Sequence, residues 1–184
     1  MAQKASDIIV TPGMQKYIDA NNEYLANRAA YIENQVKKWR FDTIAVHGLY
    51  SVQDAIEDYQ GAIIEPAFMS ASQAYRDSDE MAAALAYRIP TWCYSRIANP
   101  STYYYEWTLA LLEGYGFDGE TSCCSTSSGM AAIMTAVQPF LQETAKSRKP
   151  LNFLATAQCY GGTCQQFAVR FMQERNIECR WVSN

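Results

Sequence analysis

Thr126-Ser127-Ser128-Gly129-Met130-Ala131-Ala132-Ile133 is the stretch that decides how this chain reads. The run of small and β-branched residues before it, Thr121 to Thr126, predicts a buried strand. That strand stops at a Ser-Ser-Gly turn, and Met130, Ile133, Met134, Val137 and Leu141 then recur at helical spacing. Strand, glycine turn and helix N-terminus in succession is how an α/β protein builds an anion site. The first-turn amides are unpaired there, and the positive end of the helix dipole lies behind them. Gly129 lets the backbone approach a ligand, and the serine hydroxyls add donors. Many such turns bind nothing, so the motif takes its weight from its surroundings.

Downstream, Leu151 to Thr156 reads as the next strand, Tyr160-Gly161-Gly162-Thr163 as its loop and Cys164 to Arg175 as a helix. Ile177 to Val182 begins a further strand. The order β-α-β-α-β predicts an α/β fold with a mainly parallel sheet and flanking helices.

Upstream, Asn99-Pro100 supplies an N-cap and a first-turn proline. The helix they start carries Trp107, Leu109, Ala110, Leu111 and Leu112 and ends at Gly114. Tyr94 and Arg96 stand just before it, two apart. In an extended segment they point the same way, offering a phenol and a guanidinium fork to one anion. An arginine paired with a surface carboxylate is the commoner arrangement. Ser78 to Tyr87 is alanine-rich and predicts a short helix before Pro90, Gly61 to Pro66 is a short apolar segment, and residues 41–60 read as irregular. Within them His47, beside a glycine, fits a structural hydrogen-bonder better than a catalyst. Residues 1–13 read as a loose arm, and Thr11-Pro12 then starts a long helix. Its stripe of Tyr17-Ile18, Tyr24-Leu25, Tyr31-Ile32, Val36 and Trp39 packs either on its own domain or on a partner subunit.

The chain has 184 residues, 49% of them hydrophobic and 18% charged, enough to bury a core. A net charge of −4 argues against nucleic acid or an anionic membrane as the main partner. No apolar run approaches the roughly 20 residues that span a bilayer, and the N-terminus has no signal-peptide pattern. The six cysteines, Cys93, Cys123, Cys124, Cys159, Cys164 and Cys179, form no C-x-x-C pair, and the one histidine is far from them. They read as free thiols rather than a metal site, in a protein expected in the reducing cytosol.

These pieces, in this order, resemble the pyridoxal-phosphate enzymes of cysteine and methionine metabolism: cystathionine synthases and lyases, methionine γ-lyase and O-acetylhomoserine sulfhydrylase. The matching residues are Thr43-x-x-Val46-His47-Gly48, Gly61-Ala62 with Pro66, Tyr94-Ser95-Arg96-x-x-Asn99-Pro100, and Glu106-x-x-Leu109-Ala110-x-Leu112-Glu113-Gly114. Ser127 to Ile133 and Tyr160 to Thr163 complete the series, which covers roughly residues 40 to 182. The resemblance implies the N-terminal part of the aspartate-aminotransferase-like, fold type I, large domain. Residues 1–60 would be an arm with the long helix, and 61–184 the first part of the cofactor-binding domain.

By the same resemblance, Ser128 and the N–H groups of Gly129 and Met130 bind the phosphate of pyridoxal 5′-phosphate. Tyr160 stacks on the pyridine ring and assists proton transfer or leaving-group departure. Tyr94 and Arg96 reach the phosphate of a neighbouring subunit's cofactor, which implies a homo-oligomer, a dimer of dimers, acting on a small amino acid in the cytoplasm. The reaction class is elimination or replacement at Cβ or Cγ, the trans-sulfuration type.

Three departures accompany the match. The family's cofactor-linking lysine lies downstream in a Ser-x-Thr-Lys-like context, and none of Lys4, Lys16, Lys37, Lys38, Lys146 and Lys149 stands in one. The aspartate that faces the pyridine nitrogen also belongs to a later strand. Ser147-Arg148-Lys149-Pro150 replaces the usual Gly-Asp. The chain is therefore expected to be an N-terminal portion, inactive alone, with exposed apolar edges. A stand-alone, non-catalytic half serving as a binding or oligomerisation module is the alternative.

Overall fold

The computed structural model describes residues 8–89, 92, 94–141 and 152–183. The chain divides into two compact units, Met1–Cys123 and Cys124–Asn184.

The first unit is helical. Thr11 caps α1 (Pro12–Asn34) by accepting from the Met14 amide, with Pro12 in the first turn as its sequence predicts. The α-helix ends at Asn34 rather than at Trp39, and Val36–Lys38 continue as a single 3₁₀ turn. Residues 41–60 are not irregular: they hold α2 (Phe41–His47) and α3 (Val52–Glu57). A capping box starts α3, in which Ser51 accepts from the Asp54 amide while Asp54 accepts from Ser51. Two further helices follow, α4 (Ser78–Leu85) and α5 (Pro100–Glu113). Ile32, Val36, Ile44, Leu49, Tyr104 and Leu111 form the core.

The α1 stripe thus packs at both ends on its own unit, through Met14, Ile32 and Val36, while Tyr24 and Leu25 in the middle are exposed. Burial still pushes the Tyr24 hydroxyl up to about 12. Four of the tyrosines belong to a cluster of edge-on rings, with Tyr50 and Tyr59 against Tyr104, Phe68 against Tyr59, and Tyr103 between Trp92 and Trp107.

One charged link secures the α1–α4 contact. Tyr17 donates to Asp77 Oδ2 at 2.6 Å, while Asp77 Oδ1 caps α4 through the Asp79 and Glu80 amides. The Tyr17 hydrogen bond, helped by those amides, holds the Asp77 carboxyl below its usual range. A depressed carboxylate stabilises the fold above its unfolded value of about 3.9. That stability is lost as pH falls through the lower folded value. Tyr17→Phe is therefore expected to be less stable than the parent at pH 7 and to converge with it in acid, measured by urea melts across pH. A pH-independent difference would exclude the Asp77 carboxylate as the partner.

The second unit holds α6 (Gly129–Val137), a 3₁₀ turn (Gln138–Leu141), β1 (Asn152–Thr156), α7 (Gly161–Gln165) and β2 (Glu178–Val182). Between α7 and β2 the helix predicted for 164–175 continues as a π-helical segment, Gln166–Gln173. The strands β1 and β2 are parallel, with Phe153 opposite Cys179 and Ala155 opposite Trp181, so the expected βα-crossover is present. Phe153, Phe167 and Phe171 pack as one aromatic group, and Ile133, Met134 and Val137 of α6 close over it. On the other face, among the described residues, Leu154 of β1 is 67% exposed and Val182 of β2 47% exposed, although parallel sheets are ordinarily covered on both faces.

The strand predicted at 121–126 does not form. Its residues alternate half-buried and exposed as a strand's would, but among the described residues they join no ladder. Thr121 instead donates to the Ala110 carbonyl of α5 at 2.8 Å. A strand exists only by pairing, and small polar residues alone do not hold one in place.

Candidate functional site

Ser128 is the N-cap of α6: its backbone is extended and its hydroxyl accepts from the Ala131 amide at 3.1 Å. Its carbonyl accepts from the Ala132 amide and from the Thr126 hydroxyl. The amides of Gly129 and Met130 have no hydrogen-bond partner among the described residues, as the first turn of a helix leaves them. A Cβ built on Gly129 would meet nothing within 4 Å, so the space beside Gly129 is open.

Tyr160 precedes α7 and its carbonyl accepts from the Thr163 and Cys164 amides. The side chain is 75% exposed and folds back over Gly162. A Cβ at Gly162 would stand 2.6 Å from Tyr160 Cε1, so any other residue there displaces the ring. Met130 joins the two motifs. Its sulfur accepts from the Thr163 hydroxyl at 3.5 Å and lies 3.6 Å from the same Gly162 position. Residues 126–130 and 160–163 are thereby brought together in one unit. An anion would face two free amides and the Ser128 hydroxyl, and a flat ring would have an exposed phenol within the same unit. The donor set and the open space fit a phosphorylated aromatic cofactor.

Tyr94 and Arg96 belong to the first unit. The segment is not extended as expected: Tyr94 makes one antiparallel bridge to Ser72, and its carbonyl then accepts from Ile97 and Ala98 in a turn. The turn nevertheless stacks the two side chains, with the Arg96 guanidinium 5.1 Å from the centre of the Tyr94 ring. Arg96 makes no ion pair among the described residues, so the surface-carboxylate arrangement is not the one observed. Asn99 moors this turn. It caps α5 through the Ser101 amide and donates to the Phe68 carbonyl and to Ser95, which itself is bonded to Ala71 and Ser70.

His47 ends α2 with its ring edge-on to Trp39 at 6.5 Å, a packing contact. Among the described residues no group of three or more metal-ligating side chains occurs, and the described cysteines form no disulfide. Cys93, Ser147 to Pro150 and the lysines Lys4, Lys146 and Lys149 lie outside the described residues. The described lysines are Lys16, against the Tyr17 ring, Lys37, paired with Glu33, and Lys38 in the 3₁₀ turn.

Sequence reasoning missed the pair beneath α3. Arg28 donates to both Asp54 oxygens at 2.8 and 3.0 Å and to the Leu49 carbonyl at 2.7 Å, with both side chains buried. Burial opposes the Arg28 charge, yet the Asp54 hydrogen bonds outweigh it and the guanidinium is raised. The signal that could have found it is the S-x-x-D box at Ser51 to Asp54.

A family model described as Cys/Met metabolism PLP-dependent enzyme matches residues 42–184. A homocysteine/cysteine synthase of Kluyveromyces lactis is 33% identical over 142 residues, 77% of this chain and 29% of that protein. The O-acetyl-L-homoserine sulfhydrylase 1 of Thermus thermophilus is 30% identical over 144 residues, 78% of this chain and 30% of that protein. A homocysteine/cysteine synthase of Saccharomyces cerevisiae is 28% identical over 142 residues, again 77% of this chain and 29% of that protein. The chain thus spans under a third of the length of the curated relatives it matches. No helix among the described residues is long and apolar enough to cross a membrane.

Proposed function

The chain belongs to the Cys/Met metabolism PLP-dependent enzyme family, whose cofactor is pyridoxal phosphate, and on that premise we propose that it is the N-terminal, phosphate-holding portion of a trans-sulfuration-type enzyme. The whole enzyme would eliminate or replace the Cβ or Cγ group of a sulfur-containing or O-acylated amino acid, in the cytoplasm. Residues 1–60 form its arm and 61–184 the first part of its fold type I large domain.

The observation that carries this reading is the meeting of Ser128, Gly129 and Met130 with Tyr160 in one unit, with the two amides free. Bound there, pyridoxal phosphate supplies an electron sink for bonds at the amino acid's α-carbon. The Gly129 and Met130 amides and the Ser128 hydroxyl hold its phosphate at the positive end of α6. The Tyr160 ring stacks on the pyridine, and its hydroxyl moves a proton at the departing group. Tyr94 and Arg96, stacked on each other, serve a neighbouring subunit's phosphate in a dimer of dimers, the guanidinium offering its fork.

The experiment compares pyridoxal phosphate with pyridoxal for binding to the 184-residue chain by equilibrium dialysis. Hydrogen bonds to a charged group contribute about 1.5–3 kcal/mol each, so the phosphorylated form is expected to bind at least about tenfold tighter. Ser128→Ala should narrow that gap. Equal binding of the two would remove the phosphate cup from the account.

A further inference from the structure

The turn Tyr160 to Thr163 is bracketed by two cysteines, and their sulfurs lie 3.2 Å apart. Neither thiol belongs to the phosphate cup or to the stacking ring. We propose that Cys159 and Cys164 are a redox-active dithiol, oxidised by a small-molecule disulfide to an intrachain disulfide that encloses Tyr160-Gly161-Gly162-Thr163.

Geometry comes first. A disulfide bond is about 2.05 Å long, so the sulfurs need to approach by about 1.1 Å, within reach of small side-chain rotations. Access comes second. Both thiols are partly exposed, beside the largely exposed Tyr160, whereas Cys179 is buried in the core of the same unit. The size of the loop comes third. Cross-linking residues five apart removes less entropy from the unfolded chain than closing a long loop does, so the bond would add modest stability. It would belong to the easily reduced, reversible kind.

The Cys164 hydrogen bond, with some burial, pushes the Cys159 thiol up, which disfavours Cys159 as the first attacker. The Cys164 thiolate attacks one sulfur of the small disulfide, forming a mixed disulfide and expelling one small thiolate. Cys159 then releases its proton to water, and its sulfur attacks Cys164 Sγ, expelling the second small thiolate. Two protein thiols are oxidised by two electrons in all, and one small disulfide is reduced to two thiols.

The test equilibrates the reduced 184-residue chain with mixtures of reduced and oxidised glutathione, quenches with acid, alkylates and maps peptides by mass. The expected product is two hydrogens lighter, carries Cys159 and Cys164 in one cross-linked peptide, and reverts with reductant. Cys159→Ser should instead retain glutathione on Cys164. Because that variant can misfold, the unsubstituted chain is also equilibrated in urea. The folded chain is expected to favour the 159–164 bond at least about tenfold over the unfolded one, since folding fixes the effective thiol concentration. Equal or weaker pairing in the folded chain would overturn the proposal. So would folded chain in which both thiols are alkylated, or each carries its own glutathione.

Discussion

Asp54→Ala is expected to destabilise the first unit by about 3–5 kcal/mol, because it strands the Arg28 guanidinium in the core without its carboxylate. The loss is large because Asp54 serves two elements at once. Its oxygens take both Arg28 hydrogen bonds from α1, and they also accept from the Ser51 amide and hydroxyl at the start of α3. Arg28 in turn carries the Leu49 carbonyl and lies over the faces of Tyr31 and Tyr104. Replacing both partners, as Arg28→Met with Asp54→Leu, removes the buried charges together and should cost far less than the single change. Urea unfolding followed by tryptophan fluorescence measures both, since Trp39 and Trp107 pack against this core. A single-mutant loss under about 1 kcal/mol would mean that the pair is solvated in solution.

Gly48→Ala is the second large effect, expected at about 2–6 kcal/mol. Gly48 caps α2 with φ at +57° and ψ at −141°, a backbone region that L residues rarely adopt. That strain costs about 1–3 kcal/mol. An alanine Cβ would also lie 2.4 Å from Thr108 Oγ1 on α5, and such overpacking adds about 1–3 kcal/mol. Adding Thr108→Ala should recover the packing part and leave the backbone part. If Gly48→Ala melts with the parent, the close α2–α5 approach does not persist in solution. The positive φ and the close Thr108 contact also give a physical reason for the glycine in Thr43-x-x-Val46-His47-Gly48, which sequence alone marks only as a match.

What the sequence made legible was local chemistry. Thr11-Pro12, Asn99-Pro100 and Ser128 each start a helix because a side-chain oxygen meets an amide two or three residues on, a signal contained in a few adjacent letters. The strand 152–156 is a largely apolar run and 178–182 alternates charged with apolar residues, and both were legible for the same reason. What was not legible depended on distant partners. Within residues 41–57, the Leu49 carbonyl and α3 are held by Arg28, which turns a buried charge towards Asp54 from a helix read as one apolar stripe. Residues 121–126 have a strand's alternation but join no ladder among the described residues. At the site, each motif was visible on its own line of sequence. Their convergence through the Met130 sulfur, and the stacking of Arg96 on Tyr94 in a turn rather than along a strand, are tertiary facts.

We propose that this chain carries the cofactor's phosphate cup while the lysine that binds the cofactor covalently lies elsewhere. The most direct test adds pyridoxal phosphate to the purified 184-residue chain, records its absorbance, reduces with borohydride and maps any pyridoxyl group by mass. The account predicts saturable binding with no lysine of the six modified in stoichiometric amount. A stoichiometric borohydride-trapped adduct on any one of them would contradict it and make this chain's own lysine the cofactor's anchor.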